Sequence, residues 1–162
     1  MRWIDVVIRT INESDRSAVA RLAEVSGLFS ADELAEVDAM VDAYLGGALG
    51  EGHAWLIYEA DFPEGVAYFA PEGFSDGVWN LYMLAVAPES HGRGVGAEIV
   101  AHITDAVREQ GGRILLVETS GVASFERTRR FYEMCGFVRE ASIRDYYGPG
   151  DDKVVFWKSL SP

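Results

Sequence analysis

The stretch VAPESHGRGVGAEIV, from Val86 to Val100, constrains the fold of this chain more than any other. An apolar run, VWNLYMLAV, ends where it begins, and Gly92, Gly94 and Gly96 fall within five positions. Ile99, Val100, Ile103, Ala106 and Val107 then recur at helical spacing until Gly111-Gly112, and RILLVET follows as a short apolar run. Strand, helix and strand in this order predict a right-handed crossover between parallel strands. The first N–H groups of a helix lack partners and carry about half a positive charge. Glycine removes the Cβ atoms that hold an anion off and reaches φ > 0, where successive N–H groups converge. The expected occupant is therefore a phosphate or pyrophosphate on the backbone of Gly92, Arg93, Gly94, Val95, Gly96 and Ala97. The Arg93 side chain would add a charge-assisted contact.

The rest of the chain fits around this unit. VVIRTIN (Val6–Asn12) reads as a first strand, SDRSAVARLAEVSG as a helix stopping at Gly27, and Ser30 with Glu33 as the capping box of a second helix. HAWLIYEA and EGVAYFA, separated by Asp61-Phe62-Pro63, read as a hairpin. Both faces of VWNLYMLAV are mainly apolar, which predicts a central strand covered on both sides, with Asn80 and Tyr82 its polar exceptions. VASFERTRRFYEMCGF gives a last helix closed by Gly136, and FVREASIRDYY and KVVFWKSL two final strands around GPGDD. The expectation is a single mixed α/β domain over 1–162. Its sheet of about seven mostly antiparallel strands would be flanked by four helices.

A net charge of −12 argues against a general nucleic-acid binder, which needs a basic face to neutralise phosphates, and it suits either a cationic partner such as an amine or a plain solvated surface. No apolar run approaches the ~20 residues that cross a bilayer, so no membrane partner is expected. The first residues lack the apolar core of a signal peptide. Cys135, the one cysteine, has no internal partner, which suits a reducing cytoplasm. His53, His91 and His102 lack metal spacing, and no metal is expected.

Two nucleotide-binding patterns fail at the glycines. A P-loop needs Gly-Lys-Ser/Thr, whereas Ala97 and Glu98 follow Gly96; a dinucleotide fingerprint needs G-x-G-x-x-G on the first strand. The stretch instead resembles the coenzyme loop of the GCN5-related N-acetyltransferase family, Gln/Arg-x-x-Gly-x-Gly/Ala behind a V-x-P strand end. His91, Gly94 and Gly96 take the three motif positions, with His91 a departure at the first. TRRFYEMCGF (Thr128–Phe137) is similar to the family's second motif, Ala-x-x-Phe/Leu-Tyr-x-x-x-Gly-Phe. Motif spacing and element order also agree, so the resemblance covers nearly the whole chain.

That resemblance implies the acyl-CoA N-acyltransferase fold and acetyl-CoA (or another acyl-CoA) as donor. Leu84, Ala85 and Val86 would pair with the pantetheine arm, and the strand carrying Glu118 would splay from the central strand to admit the thioester. A backbone N–H near Ala85–Val86 would stabilise the oxyanion. Tyr132 takes the place of the family's proton donor to the leaving thiolate, while Phe131, about 100° round the helix, reads as the core residue. Phe125 stands where relatives often carry a coenzyme-contacting asparagine, so that contact would become apolar packing.

Many relatives carry a basic glutamate at or near the position of Asn80, whose amide cannot accept a proton. Glu118 is the substitute; the alternatives are a carboxylate paired with a neighbouring arginine, a water chain, or an amine that arrives neutral. Acceptor-binding residues would be Phe29, Tyr68, Asn80, Tyr82 and Tyr146, with Tyr147 completing an aromatic wall, although aromatics there also suit a core. Asp145, Asp151 and Asp152 would add acidity, or simply form a turn. The implied activity is acetyl transfer to a primary amine of a small molecule or protein, by a monomer or homodimer. A non-catalytic acetyl-CoA-binding sensor is the alternative.

Overall fold

The computed structural model, which describes residues 3–161, has seven strands and four α-helices among those residues. The strands are β1 (Val7–Thr10), β2 (Ala54–Glu59), β3 (Pro63–Pro71), β4 (Val78–Val86), β5 (Ile114–Ser120), β6 (Val138–Gly148) and β7 (Asp151–Ser159). The helices are α1 (Arg16–Val25), α2 (Ala31–Leu45), α3 (Val95–Glu109) and α4 (Glu126–Met134). Neighbouring strands follow the order β1-β2-β3-β4-β5-β7-β6. β4 and β5 pair in parallel, whereas β1–β2, β2–β3, β5–β7 and β6–β7 pair antiparallel. The described chain falls into two compact units, residues 3–70 with 83–102 and residues 71–82 with 103–161.

In the first unit, α1 and α2 bury Val19, Leu22, Val37 and Val41 with Trp55, Ile57, Val66, Met83 and Ala85 from the strands. The Ser30–Glu33 capping box opens α2 as its spacing predicts. A second box opens the short 3-10 turn before α1: Asn12 Oδ1 accepts from Ser14 N–H, and Asp15 Oδ2 accepts from Asn12 N–H at 2.8 Å. Asp15 is buried and takes both Arg9 guanidinium nitrogens at 2.7 and 2.9 Å, which hold its carboxyl below the usual range.

Asp15→Asn is expected to cost about 2 kcal/mol of stability at pH 7, since Arg9 is partly exposed and its pairing is screened. A carboxylate with a lowered folded pKa stabilises above its unfolded value, about 3.9, and that stability is lost as pH falls through the folded value. The gap between wild type and variant in urea melts should therefore begin to narrow below about pH 4 and go on narrowing as the pH falls further.

The second unit packs β5 and β7 around Leu115, Val117, Val154 and Phe156, with Ile103 and Val107 of α3 also buried. β4 departs from expectation: Val78–Leu81 are buried on both faces, but Tyr82 is exposed and Leu84 and Val86 are half-buried. The exposure alternates, so one face of the strand is uncovered past Leu81 while Met83 and Ala85 on the other face pack into the hydrophobic core; the parallel pairing with β5 runs from Val78↔Ile114 to Leu81↔Val117. Pro63, assigned to the turn by sequence, begins β3, and α4 starts only at Glu126 after a 3-10 turn over Ala123–Phe125.

Candidate active site

The glycine loop lies in the first unit. Gly92 and Gly94 have φ of +74° and +86°, and a Cβ at either would meet no atom within 4 Å. Their requirement is therefore conformational, and the space over this backbone is open. Gly94 C=O accepts from Glu98 N–H at 2.9 Å, so the N–H groups of Val95, Gly96 and Ala97 form the first turn of α3, with no backbone acceptor among the described residues.

A carboxylate that the sequence did not point to anchors this loop. Glu64, near the start of β3 and 3% exposed, accepts from Ser90 Oγ at 2.7 Å and from Arg93 Nη1 at 3.4 Å through the same Oε1. Its backbone C=O also accepts Ala87 N–H at 2.8 Å. The adjacent Gly65 explains the close approach: a Cβ there would lie 2.7 Å from Ile99 Cδ1 and 3.3 Å from Val95 Cγ1. The available signal was a Glu-Gly pair opening an otherwise apolar strand. Arg93 remains mostly exposed, with guanidinium nitrogens to spare for a phosphate. His91 turns its ring to the strand end, Nε2 lying 3.0 Å from Val86 O, and so ties the loop to β4. Along that strand end Ala85 is buried, while Leu84 and Val86 are half-buried.

Tyr132 and Glu118 belong to the second unit. Tyr132 is buried on α4 with its ring centroid 5.2–5.8 Å from those of Phe131, Phe137 and Phe156. This corrects one expectation: Phe131 is only half-buried, and Tyr132 is the core-facing residue, because α4 packs that side against Phe137 and Phe156. Burial pushes the Tyr132 hydroxyl well above the usual tyrosine range. Phe125 is half-buried at the N-terminal cap of α4. Arg129 Nη1 donates to the C=O of Ser120 and Val122, both at 2.8 Å, and fixes the helix to the end of β5.

Glu118 Oε2 accepts from Lys153 Nζ at 3.0 Å. Burial works to lower the Lys153 pKa, but hydrogen bonds to Glu118 and Tyr146 hold it above the ordinary lysine value, so it stays an ammonium. Lys153 also sits 3.6 Å over the Tyr146 ring. The acids of the last hairpin serve their own turn: Asp152 Oδ1 accepts from Asp145 N–H, Asp145 Oδ1 from Gly150 N–H, and Asp151 pairs with Ser120 Oγ.

A second carboxylate missed by sequence reaches the central strand. Glu72, half-buried just beyond β3, accepts from Asn80 Nδ2 at 2.8 Å and from Tyr82 OH at 3.1 Å. In the first unit, Phe29 packs against the hydrophobic core, and Tyr68 stacks on Trp55 at 5.0 Å and hydrogen-bonds His53. Both have the packing of core aromatics, whereas Tyr146 is exposed. Among the described residues no group of three or more metal-ligating side chains converges, and no helix is long and apolar enough to cross a membrane.

The family model for an acetyltransferase (GNAT) domain matches residues 50–139. A crystallised GNAT-family protein from Desulfovibrio desulfuricans is 33% identical, with a TM-score of 0.91 over 97% of this chain and 100% of that one. The Salmonella typhimurium protein yncA, solved with acetyl-CoA, shares the fold at 18% identity, with a TM-score of 0.71 over 98% of this chain and 95% of its own. YsnE of Bacillus subtilis, named as an N-acetyltransferase and itself uncharacterised, is 34% identical over 68 residues, or 42% of this chain. That match spans less than half, 44%, of the YsnE chain.

Proposed function

Because the chain belongs to the GCN5-related N-acetyltransferase (GNAT) family, we propose that it moves the acetyl group of acetyl-CoA to a primary amine of a small molecule or protein. The observation carrying this reading is the loop itself. Two glycines at positive φ lead into the three N–H groups of a helix's first turn, and a buried carboxylate holds the loop in place. Such a backbone fits a pyrophosphate without needing basic side chains. The bound acetyl-CoA of yncA belongs to that protein, and it supports the choice of donor here.

Acetyl-CoA supplies an acetyl thioester, and this chain supplies position and protons. Backbone of Gly92 to Ala97 with the Arg93 side chain holds the pyrophosphate, and Leu84, Ala85 and Val86 align the pantetheine arm. His91 acts by fixing the loop against Val86. Phe125 contributes apolar packing at the start of α4. An N–H near Ala85–Val86 stabilises the oxygen as it becomes negative. Tyr132 is the acid toward the leaving sulfur. Phe29, Tyr68, Asn80, Tyr82 and Tyr146 are the residues assigned to the acceptor, and 1–162 acts as one acetyltransferase domain.

The test is direct. Calorimetry with acetyl-CoA, followed by thiol release with spermidine, kanamycin, free amino acids and a short peptide bearing a free N-terminus, is expected to show binding and turnover with at least one class. Tight binding without release from any of them would favour a sensor, and no binding would remove the donor assignment.

A further inference from the structure

Asn80 leaves the central strand without the carboxylate that amine deprotonation calls for, and the hydrogen bonds around it show where one comes from. Asn80 is 1% exposed, its Nδ2 donates to Glu72 Oε1, and Tyr82 OH donates to the same oxygen. Two donors on one oxygen fix the carboxylate and leave Oε2 with no partner among the described residues. Asn80 Oδ1 is also buried and without a hydrogen-bond partner. A buried acceptor in that state is costly unless a donor arrives to fill it. The half-buried carboxylate of Glu72, with one oxygen held and the other unpaired, is a group that an alkylammonium, with its N–H donors, would satisfy.

The position within the second unit agrees. Asn80 is paired with Leu116, and the parallel pairing ends one residue later at Leu81↔Val117, so Tyr82 lies just past its end. Glu118, the next residue on β5, already accepts from Lys153. We infer that Glu72 is the general base of this acetyltransferase and the binding group for the acceptor ammonium, with Asn80 and Tyr82 as its positioning residues. The inference rests on the acetyl-transfer reading.

The step balances as follows. R–NH3+ gives one proton to Glu72 Oε2, and the freed lone pair forms the C–N bond to the acetyl carbon. The C–S bond then breaks with its electron pair on sulfur. The surplus proton of the new amide nitrogen makes good the one that sulfur takes from Tyr132. Glu72 returns its proton to solvent, so R–NH3+ and acetyl-CoA become the amide, CoA–SH and H+.

Glu72→Gln keeps the shape and loses the proton acceptor. With whichever probe amine the wild type acetylates best, its kcat/KM should fall about 100-fold at pH 7. The deficit should shrink as pH rises toward the amine's own pKa, about 10, where neutral amine no longer needs a base. Acetyl-CoA affinity should stay within two-fold, and formate should partly restore Glu72→Ala. Glu118→Gln should lack the pH-dependent recovery. Wild-type turnover combined with an undiminished Glu72→Gln rate, with a deficit constant across pH, or with the recovery pattern in Glu118→Gln, would overturn the role of Glu72 alone. A wild-type protein that releases no thiol overturns the acetyl-transfer reading, and this inference falls with it.

Discussion

Tyr132→Phe is expected to lower kcat for thiol release by a factor of about 10² to 10⁴, the range supplied by a positioned proton donor. Acetyl-CoA affinity should change less than three-fold. The hydroxyl makes no hydrogen bond to protein among the described residues, while the ring fills a pocket of Phe131, Phe137 and Phe156 that phenylalanine fills equally well. Stability should therefore move by less than about 1 kcal/mol, as for a substitution that opens no cavity. Burial disfavours the phenolate and raises the pKa, so the wild type should keep its activity past pH 10, the usual tyrosine value, before any alkaline loss through this group. Stability tied to a raised folded pKa is complete below the unfolded value and declines as pH rises toward the folded one. Alkaline destabilisation above about pH 10 should accordingly be weaker in the Phe variant. Raising the pKa also weakens the acid, which requires the proton to move as the C–S bond breaks. A Phe variant with the wild-type rate would remove Tyr132 from the chemistry.

Gly94→Val addresses the donor instead. At φ +86° a β-branched residue is strained by about 1–2 kcal/mol, and no neighbour compresses the added atoms. An exposed loop can relax in the free protein, so the strain returns when acetyl-CoA demands the original backbone. The expected outcome is a Kd raised about 5- to 30-fold by calorimetry, with little change in melting temperature. If the loop does not relax, melting temperature falls and affinity is retained. Loss of neither would show that the left-handed backbone is dispensable.

Much of the fold could be read from periodicity because most elements bury one face and end at a glycine or a cap. The Ser30–Glu33 box and the β4–α3–β5 crossover are local patterns, visible in a few residues each. Glu64 and Glu72 were not legible, since each acts through partners across a loop or hairpin that no spacing rule describes. Asn80 shows the limit most clearly. Its identity implied an absent carboxylate, whereas its hydrogen bond shows one delivered from eight residues earlier. The one open face of β4 from Tyr82 onward was hidden for a related reason: apolar residues on both faces of a run do not say whether each face is covered by protein.

The loop also resolves an electrostatic tension. A chain with net charge −12 repels polyanions at long range, nucleic acids among them, yet the proposed donor is itself a polyanion. Basic side chains numerous enough to reverse that field would remove the discrimination. Dipoles of neutral peptide groups act only at close range, and Glu64 partly offsets the charge of Arg93 behind them. The molecule can thus stay inhospitable to anions in general and admit one whose phosphates fit against its backbone.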